Sequence, residues 1–589
     1  MLLYLLITSL ISKSFALNDE SRHPVSSSLQ NAFHWQGCHE ATHIHHPQST
    51  DEVADLISVF HRDATITGHR YQILSSHNNF YRHNNLSCAE GEATSIMLDI
   101  SDMNQMLHLD KSQGTITVQS GMLFEDLEEL LLSKKLSLAG WFVAPLYAGM
   151  SLASIIETAS HGSSLVGSAS MSSVLRTAVL VDGTGLVIAL DSPGELLEGS
   201  LGLFGVITEV TLQVTEARKV SVLQVQQEDV YMLEEIRDVI ENSQALSIDI
   251  TWSPAAALYT TRVWHAGDVN MEGDSVHAHM MAPQGWLEKV DGMLFNDEQD
   301  KRDEKGIMCE IIGDMTGYHA LGPHKASMQQ FPIQEQTKEE GEKSAEPEPS
   351  QAEMVVGWIN RLASTRCVSS DGRDCLMRHV KVTPHTIAIA SEHFASWMDD
   401  VRDILDFSAA CSNFLFHFQF VTASETPLAL SSGRQIISID IQSFRSLKGY
   451  LSSSSHDLPV PSKHQDLLEE ILLLTLCKYK GRPHWALSTN RMLLGSPCSS
   501  TYEAYGAERF SQVMGRRMRY DPQGLFFHPA VAKIVGMTSN EHRAGCAANE
   551  ECFCSEDKDC GAGFECAPGH SFPEYYVCRT KRAFQPDEL

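Results

Sequence analysis

Apolar side chains recur along this chain at spacings that set out its elements before composition is considered. Behind Ser49-Thr50-Asp51-Glu52, spaced as a helix-capping box, Val53, Leu56, Ile57 and Phe60 recur at helical intervals and predict a helix with that stripe inward. Shorter runs follow: Tyr71 to Leu74, Ser95 to Leu98 and Thr115 to Ser120 read as strands, the last closed by Gly121. A second helix is expected from Phe124 to Leu136, with Leu127, Leu130 and Leu131 on its buried face. Val174 to Asp182 and Leu186 to Leu190, joined through Gly183-Thr184-Gly185, predict a hairpin. One more strand, entered past Gly202 and Gly205, has Ile207, Val210, Leu212 and Val214 as its apolar members. The mixture continues to residue 480. Helices are expected over Met232 to Asn242, Glu392 to Leu405 and residues 463–477, with strands over Ser247 to Trp252, over Phe414 to Phe420 and around Ile437, Ile439 and Ile441. Interleaved strands and helices argue for an α+β protein. Residues 335–353 break the pattern: they are acidic, proline-punctuated and free of large apolar side chains, and predict a disordered surface insertion.

Length and charge narrow the picture. A chain of 589 residues exceeds one comfortable core, so two large domains and a small one are expected. Its 44 Lys and Arg stand against 75 Asp and Glu, a formal net charge of -31 that repels nucleic acid and anionic membrane surfaces. Nucleic acid is therefore excluded as a partner. Residues 1–16, an apolar run followed by Ser14-Phe15-Ala16, read as a signal peptide. The run is too short to span a bilayer and no later stretch is long enough, so no integral membrane protein is expected. Fourteen cysteines fit an oxidising compartment, which places the protein in the secretory pathway, extracellular or in the ER lumen. Six of those cysteines, from Cys546 to Cys578, predict three disulfides in a small module; zinc is disfavoured because no Cys-x-x-Cys occurs among them. Cys367 and Cys375 are close enough for a further local bridge, and Asn85-Leu86-Ser87 is a glycosylation sequon. The histidines from His34 to His46 have no carboxylate or cysteine set converging on them by spacing, so no metal is assigned.

Candidate chemistry gathers in three segments. Ser75-Ser76-His77-Asn78 is a polar turn after a strand. Ala159-Ser160-His161-Gly162-Ser163-Ser164 is a small-residue turn whose backbone N–H groups suit a phosphate or a polar heterocycle, and Gly205 with Ile207 lies about forty residues later, glycine there permitting close approach to a flat ligand. The third is Arg482-Pro483-His484-Trp485, followed by Tyr520-Asp521-Pro522-Gln523-Gly524-Leu525-Phe526-Phe527. In this order the segments resemble the vanillyl-alcohol-oxidase, or PCMH-type, FAD flavoproteins, and among these the sugar-1,4-lactone oxidases. Cys552-Phe553-Cys554-Ser555-Glu556-Asp557 is similar to the terminal extension of the plant L-gulonolactone oxidase type.

That resemblance covers nearly the whole mature chain. It implies a PCMH-type FAD-binding domain over 31–216, an α+β substrate (cap) domain over 220–540 and a disulfide-rich module over 546–578. FAD is expected on Ser75, Ser76, His77, Asn78, Gly121, His161, Gly162, Ser163, Ser164, Gly205 and Ile207, with His77 matching the histidine that often bonds covalently to the flavin. The catalytic positions implied are His484, to accept the substrate hydroxyl proton or donate to the flavin, Trp485 as a wall, Asn490 as a substrate contact, and His417 and Gln419 where relatives present a Glu-x-Arg pair. The reaction implied is oxidation of a sugar-1,4-lactone such as L-gulono-1,4-lactone with oxygen as acceptor, giving an ascorbate-type product and hydrogen peroxide.

The chain also departs from the family pattern. Leu74, Ser75 and Ser76 stand where many members place glycines, Leu487 where a lysine is usual, and Gln419 where an arginine is usual. Glu157 sits in a stretch that is glycine-rich in relatives, where a carboxylate repels flavin phosphates unless it points away. Arg445, Arg482 and Arg491 are candidates to replace the missing cations. Two other functions stay open on these departures: a flavoprotein oxidase or dehydrogenase acting on another sugar or alcohol, and a secreted non-catalytic binding protein derived from this family.

Overall fold

In a computed structural model of the chain, the described residues are 43–76, 84, 86, 93–140, 149–242, 244–254, 257–277, 321–323, 351–362, 380–406, 414–446, 464–538 and 544–581. The leader at 1–16, His77, Asn78, Asn85, Cys367 and Cys375 lie outside them. The first helix, Thr50–Thr67, buries Val53, Ile57, Phe60 and Ala64. Its N-cap Ser49 accepts from the Glu52 N–H, but the Glu52 carboxylate reaches back to Gln48 N rather than to Ser49. Gly68 ends the helix at φ 72, left-handed backbone that a glycine adopts without strain.

Two sheets follow. β1 (His43–His45), β2 (Tyr71–Ser76) and β3 (Thr94–Asp99) form a parallel sheet in the order β1-β3-β2. β4 (Met106–Asp110), β5 (Thr115–Gln119), β7 (Leu175–Asp182), β8 (Val187–Asp191) and β9 (Gly205–Glu216) form an antiparallel sheet in the order β4-β5-β9-β7-β8. β6 (Leu136–Leu138) joins β9 from the side. The helix expected to Leu136 is Phe124–Ser133, because Lys135 turns through φ 59 and Leu136 pairs with Glu216 instead. β9 carries a bulge: Val179 pairs with Glu209 but Leu180 with Ile207. The extra residue, Thr208, flips the pleat, so Ile207 joins the face of Val210, Leu212 and Val214 despite the odd spacing.

Past Ala217 and Arg218 the chain enters an antiparallel sheet of eight strands. These are β10 (Lys219–Glu228), β11 (Ser247–Ser253), β12 (Leu258–Ala266), β15 (Gln351–Trp358), β16 (Val380–Ala390), β17 (Phe414–Val421), β18 (Ile436–Ser446) and β19 (Arg482–Pro483), ordered β15-β10-β12-β11-β17-β18-β16-β19. β13 (Ser275–His277) and β14 (Leu321–Pro323) make a separate small pair. Residues 351–353, expected at the end of the disordered insertion, are strand: Gln351, Ala352 and Glu353 pair with Gln226, Val225 and Gln224. The rest of that insertion lies outside the described residues.

The two faces of the large sheet differ in chemistry. Ile250, Trp252, Phe416, Phe418, Ile439, Ile441 and Ile387 occupy one core cluster with Phe394, Trp397 and Val401 of helix Phe394–Asp406 and Leu468, Ile471 and Leu474 of helix Gln465–Cys477. On the opposite face, register aligns Thr251, His417, Asp440 and Thr386 in one row and Arg262, Asp249, Gln419 and Ser438 in the next. All of these are buried except Gln419, which is half-buried.

The end of the chain returns to the first domain. Trp485, Tyr505, Phe510, Leu525 and Phe526 share a core cluster with Ile73, Ile96 and Val206. Ile73 N–H donates to Leu525 O at 2.7 Å and Gly183 N–H to Tyr520 O at 2.8 Å, so the Tyr520 to Phe527 segment clamps β2 and the β7-β8 turn. The last unit holds Cys546–Cys552, Cys554–Cys566 and Cys560–Cys578, with a hairpin of β20 (Phe564–Pro568) and β21 (Tyr576–Thr580). Cys554, Cys560 and Cys578 converge as bonded sulfurs, which leaves no thiolate among them for a metal. A fourth bridge, Cys477–Cys498, was not expected from the sequence. No helix among the described residues is long and apolar enough to cross a membrane.

Candidate active site

The site is built around the turn after helix Leu152–Glu157. Ser151 caps that helix by accepting from Ser154 N–H, and Ala159 turns the chain at φ 51. Much of the turn's donor capacity is internal: Ala159, Ser160, Gly162 and Ser164 donate their N–H groups to Ile156, Ile155, Ala169 and Phe420 carbonyls. His161 and Ser163 keep N–H groups without a backbone partner among the described residues. The Ser163 hydroxyl donates to Ile248 O at 2.5 Å and accepts from Phe420 N–H at 3.0 Å. The turn is thereby stitched to the ends of β11 and β17, and the first domain meets the polar face of the large sheet.

His484 comes to the same place from the other side. It follows β19, its N–H donating to Thr386 O at 3.0 Å, and its ring stands edge-to-face against that of His161 with centroids 5.9 Å apart. Its Nδ1 accepts from Ala486 and Leu487 N–H at 3.1 and 3.2 Å, so the ring proton sits on Nε2. His161 has the opposite tautomer. Its Nδ1 faces Gly162 O at 2.9 Å and must carry the proton, while its Nε2 is buried with no partner. Burial lowers the pKa of both rings, that of His484 to about 3, where the neighbouring His161 adds to the effect. Both imidazoles are neutral at pH 7.

Other sequence candidates occupy different roles. Trp485 is no open wall: its indole stacks on Tyr505 at 4.5 Å and donates to Leu428 O at 2.8 Å inside the core. Asn490 is buried at the start of helix Asn490–Leu493. Arg482 does not reach the cleft, because it donates to the carbonyls of Ala504, Leu430 and Ser432. Arg491 pairs with Glu469 at 2.7 Å and holds the cysteine-rich module through Ala547 O at 2.8 Å. The Arg445 side chain lies outside the described residues; its backbone, on β18, pairs with Lys381 of β16. Asn84 donates to Trp485 O at 2.8 Å and Ser488 O at 2.9 Å, which sets Asn84 against the His484 loop.

His417 belongs to a buried polar cluster that the sequence did not reveal. Its Nε2 lies 3.3 Å from Asp249 Oδ1 and 3.5 Å from Arg262 Nη2. Arg262 pairs with Asp249, whose other oxygen accepts from Trp264 Nε1 at 2.7 Å. Burial alone raises the Asp249 pKa, but the Arg262 charge and the His417 hydrogen bond outweigh it and hold the carboxyl well below its usual range. Arg262 thus places a cation on the polar face, on the row of Gln419. Its sequence signal was the period-two polar pattern of Ser247, Asp249, Thr251 and Ser253, which no solvent-facing strand needs when every member is buried.

The residues present fit a flavin dinucleotide. The backbone N–H groups of His161 and Ser163 have no backbone partner among the described residues, as donors for a phosphate or a flavin carbonyl require, and Ser75 and Ser76 end β2 beside β3. Two glycines serve another purpose than ligand approach: a Cβ on Gly121 would stand 1.9 Å from Ile100 O, and one on Gly205 2.1 Å from Val181 O. Ile207 is a core side chain, and its carbonyl accepts from the Ser120 hydroxyl at 2.5 Å. Glu157 is the expected misfit. Its carboxylate faces Gly202, 3.8 Å from where a Cβ there would lie, and burial raises its pKa to about 8. A neutral acid removes the repulsion that a carboxylate would exert on phosphates.

That shift gives a measurable consequence. The folded pKa lies above the unfolded 4.5, so the wild-type stability contribution is full below about 4.5 and is lost as pH rises through about 8. Glu157→Gln removes this dependence. The melting temperature of the variant relative to wild type should climb across that window, and a difference that stays flat contradicts the assignment.

A sequence model described as an FAD binding domain matches residues 41–191, and one described as an L-gulonolactone oxidase 2-like C-terminal domain matches residues 543–580. L-gulonolactone oxidase 5 of Arabidopsis thaliana is 24% identical over 593 residues, covering 94% of this chain and 91% of that protein. L-gulonolactone oxidase 2 of the same plant is 24% identical, covering 91% of this chain and 88% of its own. L-gulono-1,4-lactone dehydrogenase of Mycobacterium tuberculosis (strain CDC 1551 / Oshkosh) is 22% identical over 83% of this chain and 95% of its own. With a matched FAD binding domain at one end and a matched L-gulonolactone oxidase 2-like module at the other, the chain is an FAD-binding protein similar over most of its length to the sugar-lactone oxidoreductases.

Proposed function

We propose that this protein oxidises a CH–OH group of a sugar-1,4-lactone such as L-gulono-1,4-lactone, with FAD held at the junction of the two domains and oxygen as the final acceptor. The observation that carries this reading is the meeting of His161 and His484, 5.9 Å apart, beside a sheet face of buried hydroxyl, carboxylate, amide and guanidinium groups. Such a face matches a polyhydroxylated substrate. It offers both donors and acceptors, and few apolar side chains. FAD, when bound, supplies the two-electron acceptor. The protein's own groups orient the lactone, exclude water and handle the hydroxyl proton. Arg262 is the cation this reading assigns to the place left by Gln419 and Leu487, where it favours negative charge developing on the substrate oxygen.

Two finer points belong to the same proposal. His77 forms the covalent flavin link, since β2 leads into it and Asn84, seven residues on, docks against the His484 loop. The protein works in the secretory pathway, a reading supported by four disulfides among the described residues. The test is a panel of lactones, sugars and alcohols offered to purified protein. Peroxide formed with 1,4-lactones and not with open-chain alcohols supports the substrate; turnover with a dye acceptor alone makes the protein a dehydrogenase. Flavin colour that stays with acid-precipitated protein, and leaves it in His77→Ala, supports the link.

A further inference from the structure

The His161 and His484 rings form a matched donor and acceptor pair. Hydrogen bonds to the chain's own backbone fix both tautomers: Nδ1 of His161 donates to Gly162 O, and Nδ1 of His484 accepts two N–H groups. The distal nitrogens are therefore unlike. His484 presents an N–H, and His161 presents a bare lone pair that is buried and has no partner. A buried acceptor left unsatisfied is costly, so its retention next to the His484 ring calls for a group that fills it. A carbonyl or an amide N–H meets one of the two demands, whereas a hydroxyl, which donates and accepts through a single oxygen, meets both. The rings meet edge-to-face with centroids 5.9 Å apart, and an oxygen shared between them would make contacts of roughly 2.8 Å to each.

We propose that the two imidazoles grip the reacting hydroxyl of the substrate, with His161 Nε2 as the group that takes its proton and His484 Nε2–H as the donor to its oxygen. This rests on the oxidoreductase reading above and reverses the role first expected of His484, whose Nδ1 is already an acceptor and whose Nε2 already carries a proton. In the step, the O–H bond breaks and its proton passes to His161 Nε2. The O–H electron pair becomes the second C–O bond, and hydride leaves the same carbon for the two-electron acceptor, so an alcohol becomes a ketone. His484 keeps its proton throughout. It turns toward the oxygen that is losing one. Among the described residues no carboxylate acts on either ring, and His161 is the titratable neighbour that acts on His484.

The experiment has two arms on the full chain. Nitrogen-15 spectra of histidine-labelled protein should show one ring protonated at Nδ1 and one at Nε2, assigned by their loss in His161→Asn and His484→Asn. Anaerobic flavin reduction by the best lactone should slow in His161→Asn on the order of 10²-fold or more at unchanged flavin content. The wild-type rate should fall on the acid side below the ordinary histidine pKa, and that limb should vanish in His161→Asn, which a merely structural histidine would not cause. Wild-type reduction rates in His161→Asn, or a His161 ring protonated at Nε2, overturn the proposal. A preparation that binds no flavin overturns the function proposed above instead, while the nitrogen spectra still decide the pair.

Discussion

Asp249→Asn should destabilise the protein by about 3–5 kcal/mol, because it leaves the Arg262 guanidinium buried without its counter-charge. Both members of the pair are almost wholly buried, at 3% and 5% side-chain exposure, so solvent does not screen the loss. The amide keeps the shape and can still accept from Trp264 Nε1, so the effect isolates charge from packing. Arg262→Gln added to Asp249→Asn should recover much of the loss, since replacing both partners removes the uncompensated ion. Denaturant midpoints of the single and double variants measure this. A single variant as stable as wild type would mean that the cluster is open to water, and the polar face would then be an outer surface rather than the wall of a cleft.

The second large effect lies at the cysteine-rich module. Arg491→Ala should also cost about 3–5 kcal/mol, by stranding Glu469, which has 0% side-chain exposure. Glu469 additionally accepts from Cys578 N–H at 2.8 Å and from Gln465 Nε2 at 3.1 Å, while Glu470 accepts from the N–H groups of His570, Ser571 and Phe572. Two adjacent carboxylates on one helix thus hold the module from below, and Arg491 holds it from the His484 loop. Cys477–Cys498 closes that loop at its other end. Arg491→Ala should therefore make the module the first part of the protein to be cut by protease, seen as early loss of residues 544–581. Cutting elsewhere first would show that the module does not depend on this anchor.

How much of this was legible in the sequence depended on whether the signal was local. Strand alternation and helical stripes placed β2, β5, β7, β9 and β17 because one buried face writes its period into the chain. The His161 turn and the Arg482 to Trp485 segment were visible as short motifs. Their proximity was not, since it needs contacts such as Asn84 to Trp485 O across some four hundred residues. Arg262 was missed because its partner is set by hairpin register: Asp249 stands opposite it only once β11 and β12 pair. Trp485 looked like a ligand wall because an aromatic beside a histidine reads the same in either role. Its stack on Tyr505, twenty residues on, decides for the core. The bulge at Thr208 was hidden in plain spacing, where Ile207 and Val210 fall out of step unless one residue is extra.

Everything functional depends on the junction of the His161 turn with the His484 loop holding a flavin against a lactone. The direct measurement is the visible absorption spectrum of the purified protein without air, before and after L-gulono-1,4-lactone is added. A flavin band that bleaches on addition and returns when air is admitted is the expected result. A colourless protein, or a bound flavin that no lactone or sugar reduces, would contradict it.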